Sequence, residues 1–366
     1  MNWKKALESM TPYKPGRSIE EAKRLYGLKE VVKLASNENP YGCAPAVKDY
    51  LATSALQYEI YPDGYASSLR SKVAAKHGIS EETLLFGNGS DEIVMIIARA
   101  LLGVGANTVM ATPTFPQYAH HAKIEGAEIR EIPLQNGQHD LEGFSAAIDD
   151  HTAVVWVCNP NNPTGNLIPS DRLKTFLEQV PKNILVVLDE AYFEFITASE
   201  HVDSVTWLDE FPNIIILRTF SKAYGLASFR IGYAVGHPEV ISNLNKVRSP
   251  FNNSSLALAV AEKALEDEAF IAQCCELNHE QRQRFNHYAT EKNLHVFDSE
   301  ANFVLLEVPG DADHASEQLL QQGFIVRSGN ALGTPGYVRV TIGTEEQNTG
   351  FFKAFDTLLV GEGLQV

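Results

Sequence analysis

Nine residues decide how this chain folds, because they join a buried strand to a polar turn. They read Ile184-Leu185-Val186-Val187-Leu188-Asp189-Glu190-Ala191-Tyr192. A continuous apolar run is typical of a strand that is buried on both faces of a sheet, whereas a half-exposed strand alternates. The carboxylates that follow it therefore mark the carboxyl end of a central strand. In open α/β sheets this is the end where ligands bind.

Similar apolar runs lie on both sides of this stretch, at residues 109–111, 154–158, 214–217 and 232–235. Helical patterns lie between some of them. One face of a helix is predicted from Ile93, Ile96, Ile97, Ala100 and Leu101, and another from Leu173, Phe176, Leu177 and Val180. Strands that alternate with helices predict a mainly parallel sheet covered by helices on both sides.

The carboxyl-terminal part of the chain has a different pattern. A helical stretch runs from Phe251 to about Lys292, and strand-like pieces follow at 295–297, 303–307, 323–326 and 337–342. This mixture predicts a second, smaller α+β domain. Residues 1–35 have no strong periodicity and suggest an extended arm. We therefore predict an arm with part of the small domain at 1–40, a large domain at 41–265 and a small domain at 266–366.

Composition excludes several classes of protein. The chain has 366 residues, of which 44% are apolar, and 30 basic against 46 acidic residues give a net charge of −16. Sequence-independent binding to nucleic acid needs a basic surface, so we expect none. We also expect no signal peptide and no membrane span, because no long apolar stretch is present. The four cysteines form no CxxC pair and favour the cytoplasm. An acidic cytoplasmic enzyme fits these features.

Polar and aromatic residues follow four of the predicted strands. They are Pro113-Thr114-Phe115-Pro116-Gln117-Tyr118, Asn159-Pro160-Asn161-Asn162-Pro163-Thr164-Gly165, Asp189-Glu190-Ala191-Tyr192 and Arg218-Thr219-Phe220-Ser221-Lys222-Ala223-Tyr224-Gly225. Because the carboxyl ends of parallel strands meet at one edge of a sheet, these segments should converge. This convergence predicts a binding site.

Each segment also has an ordinary structural explanation. Asp189 could cap a turn, residues 159–165 could be only a turn, and Lys222 and Arg230 could lie on the surface. Phe115 and Tyr118 could be core aromatics. A strand that ends in acidic residues also resembles that of a P-loop NTPase, but the chain has no Gly-Lys dipeptide for a phosphate loop.

In this order, the motifs resemble those of the fold-type-I pyridoxal-phosphate aminotransferases over essentially the whole chain. Four further segments are similar to the histidinol-phosphate aminotransferase family. They are Leu34-Ala35-Ser36-Asn37-Glu38-Asn39-Pro40-Tyr41-Gly42, Tyr61-Pro62-Asp63-Gly64, Phe86-Gly87-Asn88-Gly89-Ser90-Asp91-Glu92 and Val326-Arg327-Ser328-Gly329-Asn330. The resemblance implies an α/β fold with a mostly parallel sheet between helices in the large domain. It also implies a homodimer with shared active sites.

The resemblance implies catalytic roles for Lys222, Asp189 and Tyr192, with pyridoxal 5′-phosphate attached to Lys222 as a Schiff base. Asp189 would keep the pyridine nitrogen protonated, since a carboxylate favours the charged ring. The implied cofactor-binding residues are Gly89, Ser90, Asp91, Phe115, Asn162, Asp189, Tyr192, Ser221, Lys222, Arg230 and, from the partner subunit, Tyr61. We expect Ser90 to cap the helix that begins there, with Asp91 and Glu92 favouring its dipole while pointing away from the phosphate.

The implied substrate-binding residues are Tyr13, Asn37, Arg327 and Arg339, and no metal is implied. The implied reaction is amino transfer between histidinol phosphate and 2-oxoglutarate. Two alternatives stay open. One is an aminotransferase with broad activity on Phe and Tyr, and the other is a cofactor-binding regulatory domain that acts on DNA. The acidic composition and the presence of Lys222 speak against the regulator.

Overall fold

The computed structural model describes residues 1–12, 17–57 and 59–361. Its helices are α1 (Ile19–Tyr26), α2 (Pro45–Thr53), α3 (Ser67–His77), α4 (Ser90–Leu101), α5 (Gln117–Glu125), α6 (Leu141–Ala147), α7 (Ser170–Gln179), α8 (Pro238–Asn245), α9 (Ser255–Leu265), α10 (Glu268–Glu291), α11 (Ala312–Gln321) and α12 (Glu345–Gly361). Short 3-10 helices lie at Lys5–Ser9, Glu81–Thr83, Phe193–Phe195, Ser204–Trp207, Ala227–Phe229 and Asn330–Leu332. Across the described ranges, every helix is too short or too polar to span a bilayer.

The strands are β1 (Val32–Lys33), β2 (Leu84–Gly87), β3 (Asn107–Thr112), β4 (Glu128–Pro133), β5 (Thr152–Cys158), β6 (Leu185–Asp189), β7 (Ile214–Thr219), β8 (Gly232–Gly236), β9 (Phe303–Glu307), β10 (Phe324–Ile325), β11 (Arg327–Ser328) and β12 (Tyr337–Thr341). Seven of them form one sheet in the order β2-β8-β7-β6-β5-β3-β4. The predicted α/β fold with a mostly parallel sheet is confirmed, since β3 through β7 run parallel. Only β8 is reversed, pairing antiparallel with both β2 and β7.

A smaller sheet, β11-β12-β9, is packed with α10, α11 and α12 into a separate apolar cluster. Residues 1–35 do not form the extended arm that we predicted, because α1 lies within them. The Ser18 side chain caps α1 by accepting from the Glu21 N–H at 3.1 Å, and Gly27 ends it in the left-handed region. β1 then pairs with β10, so this part of the chain joins the carboxyl-terminal elements. The domain boundaries at residues 40 and 265 stay a prediction.

Two other predictions about local structure are wrong. The helix predicted from Phe251 to Lys292 is broken into α9 and α10, because Asp267 leaves the helical conformation and its carboxylate caps the Phe270 N–H at 3.1 Å. Residues 295–297 form only an isolated bridge between Val296 and Leu306. The sequence pattern also missed β4, an edge strand whose half-exposed residues alternate.

The two carboxylates at the end of β6 lie on opposite faces of the large sheet. Val186 and Leu188 belong to one apolar cluster, and Leu185 and Val187 to the other. By this alternation Asp189 and Glu190 lie on opposite faces. Glu190 is 1% exposed and pairs with Arg218 of β7 at 2.5 Å. The Arg218 guanidinium also contacts Asp203 at 2.9 Å and lies 3.3 Å from the centroid of the Phe193 ring.

We predict that Arg218→Met destabilises the fold strongly, because Glu190 would be left buried without its charge partner. Breaking a buried ion pair in this way costs about 3–5 kcal/mol. A matched control is Lys72→Met, which removes an exposed pair with Glu266 at 2.7 Å and should cost less than about 1 kcal/mol. Urea unfolding of the full chain measures both. A smaller loss for Arg218→Met than for Lys72→Met would contradict the stabilising role.

Candidate active site

The site is assembled around a short segment, residues 35–37, which follows β1. The carbonyl oxygen of Ala35 accepts from Arg339 Nη2 at 2.8 Å, and that of Ser36 accepts from Lys222 Nζ at 3.2 Å. Asn37 lies in the left-handed region, with φ of 57°, and is 1% exposed. Its Nδ2 donates to the Tyr192 hydroxyl at 3.0 Å. One turn of chain therefore contacts both sheets.

Lys222 follows β7 and is half-buried. Its Nζ lies 5.8 Å from the centroid of the Tyr192 ring. Gly225, with φ of 68°, lets the next turn pack against residues 42 and 43, since a Cβ there would lie 1.9 Å from the Gly42 carbonyl oxygen. Burial and the nearby positive charge of Arg339 lower the pKa of Lys222 to about 8, although Asp91 and Glu38 oppose this. A lysine in this setting loses its proton at a lower pH than a solvated lysine does.

Asp189 ends β6 on the same side of the sheet as Tyr118. It is 4% exposed, and its Oδ2 accepts from the Tyr118 hydroxyl at 2.6 Å. Its Oδ1 is buried and has no hydrogen-bond partner among the described residues. Burial raises the pKa of Asp189 to about 6, because the charged form is poorly solvated, although the Tyr118 hydrogen bond opposes this. An unpartnered buried carboxylate oxygen is costly, which indicates that a donor belongs there.

Asn162 and Arg339 lie together at the junction of the two sheets. Arg339 Nη1 donates to Asn162 Oδ1 at 2.6 Å. Since arginine has only donors, the amide oxygen must face it, and Asn162 Nδ2 is left as a donor toward the site. The Tyr192 hydroxyl accepts from Asn37, so its own hydrogen can also be donated to a ligand. These two donors are suited to one acceptor oxygen.

An anion-binding arrangement lies where α4 begins. Gly89 precedes the first turn of α4 with φ of 77°, and a Cβ on it would lie 2.5 Å from Arg230 Nη2. Arg230 Nη1 donates to the Ser221 hydroxyl at 3.2 Å. A helix N-terminus with a guanidinium and a hydroxyl beside it favours a phosphate group. We call residues 88–91 the cradle.

One expectation about the cradle is wrong. Ser90 does not cap α4, because Gly89 occupies the cap position. Asp91 Oδ2 lies 3.6 Å from Arg230 Nη2 in an exposed pair, and Glu92 Oε2 accepts from the Asn88 N–H at 2.6 Å. The orientation of these two carboxylates relative to a bound phosphate stays a prediction. A bound anion would compete with Asp91 for Arg230.

The remaining predicted residues are placed differently. Phe115 packs edge-on against Tyr118, with ring centroids 5.5 Å apart. Arg327 lies directly opposite Arg339 on adjacent strands, and its guanidinium has no hydrogen-bond or ion-pair partner in the part of the chain that the structure describes. Tyr61 is 78% exposed and stacks on Phe251 rather than on a residue of the site. Tyr13 lies outside the described residues.

Sequence reasoning missed several residues that complete the site. Tyr118 was named only as an aromatic after a strand, yet it supports Asp189 and stacks on Trp156 with ring centroids 4.8 Å apart. Thr341 accepts from the Asn37 N–H at 2.9 Å. The carbonyl groups of residues 35 and 36 carry no side-chain signal that a sequence pattern could reveal.

The family model of class I and II aminotransferases matches residues 29–355. The chain belongs to this aminotransferase family. A histidinol-phosphate aminotransferase of Lysinibacillus sphaericus (strain C3-41) is 54% identical over 364 residues, which is 100% of both chains. One of Bacillus subtilis (strain 168) is 51% identical over 95% of this chain and 97% of its own. The crystal structure of histidinol-phosphate aminotransferase from Sinorhizobium meliloti, in complex with pyridoxal-5′-phosphate, is 28% identical, covers 98% of both chains and has a TM-score of 0.89.

We predict that Arg339→Met raises the pKa of Lys222 above 8 in the cofactor-free protein, because it removes a positive charge that disfavours the ammonium. The pH dependence of Lys222 modification by an amine-selective reagent, followed by mass spectrometry of the peptide, measures this pKa. Arg327→Met is the matched control, and it should shift the value less. An equal shift in both variants would contradict the specific contribution of Arg339.

Proposed function

We propose that this aminotransferase is a histidinol-phosphate aminotransferase that uses pyridoxal 5′-phosphate. It transfers an amino group between L-histidinol phosphate plus 2-oxoglutarate and imidazole acetol phosphate plus L-glutamate, in histidine biosynthesis. The observation that carries the proposal is the 54% identity, over the full length of both chains, to a relative of that name. The geometry supports the cofactor and the anionic substrates independently.

The residues of the site fit the cofactor. The free Oδ1 of Asp189 is an acceptor for a protonated pyridine nitrogen, and Tyr118 fixes the carboxylate in place. Asn162 and Tyr192 offer donors for the ring oxygen, and Phe115 lies beside Tyr118 for contact with the ring face. The cradle, with Ser221 and Arg230, would hold the phosphate. No metal takes part in this proposal.

When bound, the cofactor supplies a carbonyl carbon that carries the amino group and a ring that withdraws electrons from the reacting carbon. The chain supplies the proton transfer. Lys222 Nζ, with its pKa lowered to about 8, would hold the cofactor and would accept and release the proton of the reacting substrate carbon. Asp189, which is 4% exposed, would favour a protonated ring nitrogen. Tyr192 would donate from its hydroxyl to the ring oxygen.

The substrate anions are assigned to the two arginines of the small sheet. Arg327 and Arg339 are cross-strand partners, and two like charges placed directly opposite destabilise a sheet. An anion between them would remove this repulsion, and a guanidinium can bind phosphate or carboxylate with two parallel hydrogen bonds. Asn37 lies between this sheet and Tyr192, which supports its proposed position beside the substrate. Tyr13 keeps its proposed contact with the substrate phosphate.

We also propose a cytoplasmic homodimer with shared active sites. Tyr61 is 78% exposed, Tyr65 is 72% exposed and Ile60 is 56% exposed, and Phe251, stacked against Tyr61, is 48% exposed. Large apolar side chains grouped on one surface are typical of an interface. Burial of this group against a second copy would let Tyr61 reach the partner's cofactor phosphate.

Activity on aromatic amino acids is the competing function. An aromatic substrate carries a carboxylate but no phosphate, so it depends less on a site for a doubly charged group. The substrate spectrum of Arg327 variants therefore separates the two functions. A regulatory role without catalysis is disfavoured by Lys222, which the fold places beside Tyr192 and the Ser36 carbonyl.

We predict that Arg327→Ala lowers kcat/KM for histidinol phosphate by roughly 10- to 200-fold and lowers it less for phenylalanine. The loss of a hydrogen bond to a charged group costs about 1.5–3 kcal/mol, and each 1.36 kcal/mol is tenfold in rate. Steady-state assays with both substrates and 2-oxoglutarate measure the two effects. Equal losses for the two substrates would favour the aromatic aminotransferase.

We predict that two inactive variants restore activity to each other if the sites are shared. Mixed dimers of Lys222→Ala and Tyr61→Ala subunits contain one site that carries neither substitution. Activity should therefore reappear after the subunits exchange, up to about a quarter of the parent value at full random exchange. Mass spectrometry of the intact dimers controls for exchange. No recovery in confirmed mixed dimers would mean that each site is built from one subunit.

A further inference from the structure

A continuous chain of hydrogen bonds connects the cradle to the turn that carries Tyr61. Glu92 Oε2 accepts from the Asn88 N–H and from Asn252 Nδ2, each at 2.6 Å. Asn252 Oδ1 accepts from Arg248 Nη1 at 2.7 Å, and Arg248 Nη2 donates to the Gly64 carbonyl at 2.9 Å. None of these side chains was assigned a role in the reaction above.

The side-chain chemistry of these residues determines which group donates and which accepts in each of these hydrogen bonds. Arginine can only donate, and an ionised carboxylate can only accept, so Asn252 must present its oxygen to Arg248 and its nitrogen to Glu92. Asn252 Nδ2 also donates to the Phe86 carbonyl at 3.1 Å, and Asn253 Nδ2 donates to the Gly87 carbonyl at 2.8 Å. Residues 248–253 therefore hold both the end of β2 and the acid at the start of α4.

Glu92 is placed to prepare the cradle for an anion. It satisfies the Asn88 N–H, which lies just outside the helix, and it leaves the first-turn N–H groups of α4 for a ligand. Its negative charge would oppose a phosphate if the side chain were loose. Asn252 Nδ2 holds the Glu92 carboxylate at the Asn88 N–H, so that it does not occupy the first-turn N–H groups of α4.

The same loop supports Tyr61. The Phe251 ring stacks on the Tyr61 ring at 4.8 Å with an angle of 19° between the planes. The Gly64 turn is held by Arg248 and lies against Phe251, because a Cβ on Gly64 would lie 3.4 Å from that ring. The cradle of one site and the tyrosine proposed for the other site are thus anchored to one loop.

We propose that Glu92 and Asn252 are positioning residues for the cofactor phosphate, and that Arg248 ties them to the Tyr61 turn. This inference rests on the proposed function. In addition, one loop, residues 248–253, positions groups for the phosphate sites of both subunits.

The test compares cofactors with and without a phosphate. The full-length protein, freed of cofactor, is titrated with pyridoxal 5′-phosphate and separately with pyridoxal, and absorbance gives each Kd. Glu92→Ala and Asn252→Ala should raise the Kd for pyridoxal 5′-phosphate roughly tenfold, the usual scale for a lost hydrogen bond to a charged group. Both should leave the Kd for pyridoxal within twofold, because pyridoxal does not use the cradle. Glu92→Gln should restore most of the affinity, since its amide oxygen can accept from Asn88.

Matched controls are Glu239→Ala, an acid in the first turn of α8, and Asn243→Ala on the same helix. Neither contacts the cradle, so neither should change either Kd. Equal changes for the two cofactors, or a lower thermal midpoint with both Kd values unchanged, would reduce Glu92 and Asn252 to ordinary structural residues. If the parent protein binds no pyridoxal 5′-phosphate, the proposed function fails instead.

A second arm tests the link to Tyr61 in the dimer. Arg248→Met should raise the Kd for pyridoxal 5′-phosphate about threefold or more in the parent protein, because it releases the Gly64 turn. In a Tyr61→Phe background, which keeps the ring stack but removes the hydroxyl, the same substitution should have a much smaller effect. Contacts in one network give such non-additive changes. Additive effects would overturn the link.

Discussion

The hydrogen bonds that residues 35–37 accept and donate are the constraint on which the site depends. Lys222 and Tyr192 come from the large sheet, and Arg339 and Thr341 come from the small one. The packing of each sheet fixes its own residues but not their position relative to the other sheet. The segment after β1 contacts both groups, mainly through backbone atoms. Its φ of 57° at Asn37 is a strained conformation that these contacts maintain.

The two carboxylates at the end of β6 have different electrostatic environments because they lie on different faces of the sheet. Asp189 and Glu190 are neighbours in sequence but lie on opposite faces, so their roles differ. Glu190 is neutralised by Arg218 and stabilises the ends of β6 and β7. Asp189 accepts from the Tyr118 hydroxyl, and its Oδ1 has no hydrogen-bond partner among the described side chains. One strand end therefore carries a carboxylate that is paired within the fold and another that is proposed to contact a ligand.

The arginines that are proposed to bind anionic groups are divided between the large sheet and the small sheet. Arg230 lies beside the cradle at the large sheet, whereas Arg327 and Arg339 lie on the small sheet. A ligand that carries its anionic group at a distance from the reacting carbon can span this separation. Lys222 lies between the two groups, with Arg339 lowering its pKa and Ser36 holding its Nζ. In the proposed function, an anion bound at Arg339 would therefore also change the proton affinity of Lys222.

Continuous apolar runs predicted the central strands β5, β6 and β7 and the order of the polar segments that follow them, because a strand buried on both faces is apolar along its whole length. Through the family resemblance the sequence also predicted Asp189, Asn162, Lys222 and Arg230 as site residues, and their roles stay a prediction. Other features depend on contacts between residues that are far apart in the sequence. The direction of β8, the break at Asp267 and the pairing of Arg218 with Glu190 were not deduced from the sequence. The contacts of residues 35–37 depend on backbone carbonyls, which every residue has, so no pattern of side chains could predict them.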